Sequence, residues 1–206
     1  MLIGVSLGPG DPGLLTLKAV EALRSSAKIF VPGEMAANLA RPYCQPEILD
    51  FPMIGDEAKL EEIWSRNADI MASYAAKTQA GFACVGDVNT FSTFTHLKRV
   101  MNQNYPNVEV DTIPGVGIVS ALVSRFGIGL DRSFLVSDGS DQEAVIRMKA
   151  IRPRKIARDL ENKGFGQFIL GTMLCTPDEQ IFRGGLAEEM PERSDYFSVL
   201  YARRVR

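Results

Sequence analysis

A chain of 206 residues with 46% hydrophobic content is long enough to bury a substantial core, as one domain or two small ones. Its 23 basic and 25 acidic residues leave a formal charge of −2, which argues against a dedicated nucleic-acid binder. Three widely spaced cysteines (Cys44, Cys84, Cys175) and a single histidine, His96, argue against a disulfide framework, a metal site and a Ser-His triad.

No apolar run reaches membrane-spanning length, and no basic segment followed by an apolar one opens the chain. The expectation is a cytoplasmic protein with neither membrane nor nucleic acid as partner. Charge is unevenly spread: residues 1–114 carry net −4 and residues 115–206 net +2.

Leu2–Leu7 reads as a short apolar strand. Leu14–Leu23 carries apolar residues at 14, 15, 17, 20 and 23, the face of a helix. Between them runs Gly8-Pro9-Gly10-Asp11-Pro12-Gly13, a loop that exposes backbone where open α/β sheets bind ligands. Gly8, Gly10 and Gly13 satisfy the dinucleotide fingerprint literally, and Glu34 lies about twenty residues on. Pro9 and Pro12 each delete a backbone N–H, however, a poor choice for a loop that must present N–H groups to a pyrophosphate.

Lys28–Val31 is a second strand, closed by Pro32-Gly33. Glu57–Lys77 is a long amphipathic helix, Phe82–Val85 a buried strand, Phe91–Met101 a helix and Val108–Ile113 a strand. This alternation predicts a mainly parallel sheet covered on both faces. Pro114-Gly115 marks the expected boundary between domains 1–114 and 115–206. Beyond it the sequence predicts a helix over Val116–Phe126, strands at Ala144–Lys149, Phe168–Gly171 and Tyr196–Ala202, and a helix over Pro153–Lys163 with Gly164 past its end. Residues 173–194 have no clear period and read as a loop or irregular hairpin. Two α/β domains, the second with a mixed sheet, would form a cleft between them.

Three Gly-bearing loops follow apolar strands: Gly8-Pro9-Gly10-Asp11-Pro12, Gly86-Asp87-Val88-Asn89-Thr90-Phe91-Ser92-Thr93-Phe94, and Ile113-Pro114-Gly115-Val116. Together with Val145-Ile146-Arg147-Met148-Lys149 and Tyr196-Phe197-Ser198, in this order and over nearly the whole chain, they resemble the tetrapyrrole methylase superfamily. Within it, the Gly86–Phe94 loop is similar to Gly-Asp-x-x-x-[Tyr/Phe]-Ser-Thr-[Phe/Tyr] of the C20-methyltransferases acting on precorrin-2 or cobalt-factor II. Phe51-Pro52-Met53, ahead of a helix carrying Trp64, resembles the same branch. Val88 stands where proline is commoner, and the 132–143 region is compact for the family.

The resemblance implies a tetrapyrrole methylase fold, a homodimer, and a methyl transfer from S-adenosyl-L-methionine to C20 of a tetrapyrrole. Donor contacts carry over to Pro9, Val85, Gly86, Asp87, Thr90, Ser92, Thr93, Gly117, Ile118, Met148, Thr172 and Met173. Any cobalt would arrive with the substrate, and no residue declares itself as the base that removes the C20 proton. Methylation of another ring carbon, diphthine synthesis and a non-catalytic S-adenosylmethionine or nucleotide sensor remain the alternatives. So do simpler roles for single residues: Asp87 as a cap of the helix near Thr90, Ser92 and Thr93 as first-turn residues, Met148 as core. The run Arg147–Arg158 holds six cations and no acid. Arginine forks suit the peripheral carboxylates of a tetrapyrrole, whereas a solvated helix face is the plainer reading. Arg154, Lys155 and Arg158 fit the solvated face; Arg152, in the preceding loop, is the substrate-binding candidate.

Overall fold

The computed structural model describes residues 1–52 and 57–205. Met53, which completes the Phe51-Pro52-Met53 motif, lies outside them. The chain divides into two units, Met1–Arg132 and Ser133–Arg206, a division well beyond the expected turn at Pro114-Gly115.

The first unit alternates strand and helix: β1 (Leu2–Ser6), α1 (Leu17–Ser25), β2 (Lys28–Val31), α2 (Glu34–Ala40), β3 (Pro46–Ile48), α3 (Glu57–Ala75), β4 (Ala80–Cys84), α4 (Thr93–Asn104), β5 (Val110–Ile113) and α5 (Ile118–Phe126). The strands form one parallel sheet in the order β3-β2-β4-β1-β5. Alternation along β1 sends Leu2 into a core with α3 and α4, and Ile3 and Val5 into a second core with α1 and α2. The parallel sheet is therefore covered on both faces, as its nearly uniform apolar strands predict.

One expected helix starts later than its apolar face suggests. The helix expected from Leu14 starts at Leu17, because Thr16 in extended conformation accepts the Ala19 N–H at 3.2 Å and caps it. Pro12–Leu14 forms a separate 3-10 turn, and Leu17, counted as a core position, is 89% exposed. Helix α2 and strand β3 were not foreseen from the sequence.

The second unit contains β6 (Ala144–Met148), α6 (Pro153–Glu161), β7 (Phe165–Thr172), β8 (Gln180–Gly184) and β9 (Ser198–Arg204). Its sheet order is β6-β9-β7-β8, and every described pairing is antiparallel rather than mixed. β6 and β7 run the same way across the α6 crossover, but β9 slots between them. Residues 173–194 include strand β8, which forms a hairpin with β7, and a 3-10 turn at Ala187–Glu189. Helix α6 covers one sheet face with Ala157 and Leu160 against Phe168, Leu170, Leu200 and Ala202. Ile146 and Met148 point to the other face and are 70% and 69% exposed.

Candidate active site

In the first unit, β1 and β4 are neighbours whose onward connections leave in opposite directions across the sheet. β1 leads through α1 to β2, and β4 leads through α4, on the other face, to β5. Such a switch point opens a crevice at the carboxyl ends of the two strands, where ligands bind in open α/β sheets.

Hydrogen bonds join the loops at this point. Leu7 N–H donates to the Cys84 carbonyl at 2.9 Å, and Gly86 N–H to the Gly8 carbonyl at 2.7 Å. Both glycines have positive φ (71° and 85°), which explains why neither loop carries a side chain there. Ser6, fully buried, accepts the Val88 N–H at 2.8 Å. The Asp87 carboxylate spans two loops: Oδ1 accepts from Asn89 N–H at 2.9 Å and Thr90 Oγ1 at 3.2 Å, and Oδ2 accepts from Gly115 N–H at 2.9 Å. A Cβ on Gly115 would lie 2.4 Å from that of Ser6, so the β5 loop must be glycine at this close approach.

Asp87 is thus not the cap of α4. That role belongs to Ser92, whose Oγ accepts the Phe94 N–H at 3.1 Å and lies 3.3 Å from Cys84 Sγ; Thr93 is the first helical residue. Burial, partly opposed by the Ser92 hydrogen bond, pushes the Cys84 thiol up from its ordinary value. Phe91, in the same loop, is held at φ 47° with its ring 68% exposed, the kind of strain that gathers at binding sites.

Beside the switch point lies a groove of about 830 Å³, walled by Pro9, Pro12 and Leu14 on one side and by Ile118, Leu122 and Phe126 of α5 on the other. Gly117 precedes α5 without a side-chain cap, and a Cβ there would sit 3.9 Å from that of Asp87. Pro9, Val85, Gly86, Asp87, Thr90, Gly117 and Ile118 therefore gather around one strand-end region. Ser92 and Thr93 stand at the foot of α4 beside it. The dinucleotide reading finds no support here. The glycine loop leads into a 3-10 turn rather than directly into α1, and Glu34 is paired with Arg41.

In the second unit, the register places Met148 opposite Val199 and Thr172 opposite Ser198, so the candidates there share one end of the sheet. Met148 is exposed, which removes the core reading. Thr172 is buried, its hydroxyl 3.1 Å from Ser194 Oγ, and Met173 N–H donates to the Phe197 carbonyl at 2.9 Å. Lys149 (φ 54°), Met173 (φ 50°) and Cys175 (φ 65°) add strained backbone at this end. Of the cations expected on a solvated face, two are committed: Arg154 Nε donates to the Met190 carbonyl at 2.9 Å, and Arg158 pairs with Glu188 at 2.6 Å. Phe51 and Trp64 are packing residues, edge to face with each other and, for Phe51, with Phe82. His96 lies exposed with its ring edge-on to Trp64.

A family model for tetrapyrrole (corrin/porphyrin) methylases matches residues 1–189, and the chain belongs to this family. Among its relatives is the protein named "Probable cobalt-precorrin-2 C(20)-methyltransferase" of Methanocaldococcus jannaschii, 26% identical over 98% of this chain and 95% of that one. The precorrin-2 C(20)-methyltransferase of a Sinorhizobium species is also 26% identical, over 97% and 93%. The cobalt-precorrin-2 C(20)-methyltransferase of Salmonella typhimurium is 31% identical over 60% of this chain and 56% of its own. Uroporphyrin-III-C-methyltransferase from Thermus thermophilus shares the fold at TM-score 0.51 and 17% identity, covering 98% of this chain and 91% of its own. The methyltransferase CobJ does so at 0.51 and 18%, covering 99% and 94%.

Proposed function

We propose that this chain transfers a methyl group from S-adenosyl-L-methionine to carbon 20 of precorrin-2 or of its cobalt-bearing counterpart, cobalt-factor II. The observation that carries the reading is the match along 95% and 93% of two relatives named for C(20) methylation. The donor supplies an electrophilic methyl on a sulfonium.

The proposed donor contacts divide by chemistry. Pro9 and Ile118 belong to an apolar groove, the surroundings an adenine ring requires. Val85, Gly86 and Gly117 present backbone, and Thr90, Ser92 and Thr93 present hydroxyls. A carboxylate offers about four acceptor positions, of which Asp87 uses three within the protein. Its first contribution is to fix these loops, with one acceptor position left for a ligand. Met148, Thr172 and Met173 are the contacts proposed from the second unit, and Arg152 is the proposed contact to the acceptor. The acceptor carbon is electron-rich, so the residues act chiefly by holding it in line, about 3–3.5 Å from the methyl.

The protein is further proposed to work in the cytoplasm as a two-fold homodimer. Ile128 and Leu130, just past α5 and outside the groove, are exposed apolar residues of the kind that subunit contacts cover. Anaerobic incubation with each acceptor and donor labelled at the methyl carbon, followed by NMR of the product, tests the chemistry. The label is expected at C20. Its appearance at another carbon, or in neither product, overturns the reading.

A further inference from the structure

Residues 187–194 close on the start of α6, and the closure gathers charge. Arg154 N–H donates to the Pro191 carbonyl at 3.2 Å, and Ser194 N–H to the Ile151 carbonyl at 2.9 Å. Between them lies a pocket of about 350 Å³ lined by Arg152, Arg154, Lys155, Arg158, Glu192 and Arg193. Arg154 and Arg158 are held by Met190 and Glu188. The side chains of Arg152, Lys155 and Arg193 have no hydrogen-bond or ion-pair partner among the described residues. Folding brings these three cations together against a single acid, Glu192. Like charges brought together repel, so the arrangement offers the isolated chain no electrostatic gain.

An anion from outside would supply the gain. Guanidinium forks match carboxylates in pairs of parallel hydrogen bonds, and three free cations suit a ligand with several such groups. The place is also suitable. Arg193 adjoins Ser194, whose hydroxyl lies 3.1 Å from that of Thr172, a proposed donor contact. We infer that Arg152, Lys155 and Arg193 form a polycarboxylate site for the peripheral acid groups of the tetrapyrrole acceptor. This rests on the methyl-transfer reading above and extends it from one residue to three, drawn from two distant stretches of sequence.

The test measures binding of uroporphyrin, a stable polycarboxylate porphyrin, by fluorescence, alongside S-adenosylhomocysteine by calorimetry. Arg193→Ala and Lys155→Ala are each expected to weaken uroporphyrin binding severalfold, and Arg152→Ala/Arg193→Ala at least tenfold. Arg193→Lys should retain more than Arg193→Ala, and uroporphyrin methyl ester should bind all forms alike. S-adenosylhomocysteine affinity should stay within twofold throughout; a parallel loss would mean that the pocket takes the donor's carboxylate, overturning the assignment. Arg183→Ala, on the edge strand β8, controls for net charge and should be silent. If wild type binds uroporphyrin and the three substitutions do not weaken it, the pocket is overturned and the methyl-transfer reading stands. If wild type binds neither compound, both fall.

Discussion

Asp87 acts through the loops it joins as much as through anything it touches. Removing its carboxylate leaves the Gly115 N–H, in a half-buried setting, without its acceptor, at a cost of about 1–3 kcal/mol. Asp87→Ala is therefore expected to lower the urea midpoint and to weaken S-adenosylhomocysteine at least tenfold by calorimetry. Asp87→Asn should fall short of rescue, because its amide can serve Asn89 and Thr90 only by turning N–H toward N–H at Gly115. An Asn variant equal to wild type in both measurements would show that the bond to Gly115 is dispensable. Cys84 gives a second test at this scale. Its raised pKa means that above about pH 8.5 the unfolded chain binds fewer protons than the folded one, so this thiol's contribution favours folding less as pH climbs. Stability should thus fall more steeply with rising pH in wild type than in Cys84→Ala. A thiol reagent at neutral pH should modify exposed Cys175 in the native protein and Cys84 only after unfolding.

At the scale of elements, legibility followed how local each signal is. β1, β2, β4, β5 and the long α3 announce themselves by apolar runs or period, and Pro153 and Gly164 bracket α6. Helix α2 did not, because three of the seven residues of Glu34–Ala40 are alanine and its one large apolar residue near the start, Met35, is 69% exposed. β3 is three residues opening on a proline at the sheet edge, too short to alternate. The strand-end loops stand out in the sequence by their glycines and by resemblance, and the structure brings them together at the carboxyl ends of β1 and β4. The Ser6–Val88 and Asp87–Gly115 bonds were not readable, since each joins residues far apart in sequence, and neither was Arg193 beside Arg152. Gly115 tests the loop packing directly. Gly115→Ala forces a methyl group against Ser6 and should cost about 1–3 kcal/mol together with donor affinity, whereas Gly129→Ala, with open space around it, should be near neutral in the same urea titration.

Across the whole molecule, the described buried apolar residues fall into three clusters, two within the first unit and one within the second. Trp64, the single tryptophan, belongs to the first unit and reports on it alone. Without donor, urea transitions followed by tryptophan fluorescence and by far-ultraviolet circular dichroism should not coincide. A ligand that touches residues of both units, as proposed for S-adenosylmethionine, should draw the two curves together, with a stabilisation of about 2.7 kcal/mol at a hundred times its Kd. Coincident curves in the absence of ligand would show that the units unfold as one.

β9 lies in the middle of its sheet yet comes after β6, β7 and β8 in the chain. A ribosome releases those three strands before the one on which β6 depends for its pairing and β7 for its second edge. At about 5–20 residues per second, unpaired edges wait for seconds while the intervening residues are made. The first unit has the same order of events, since β1 pairs only with the later β4 and β5. Each half of this protein is thus completed by its latest strands, and a nascent chain stalled before β9 would present β6 and β7 as open edges to any chaperone at the tunnel exit.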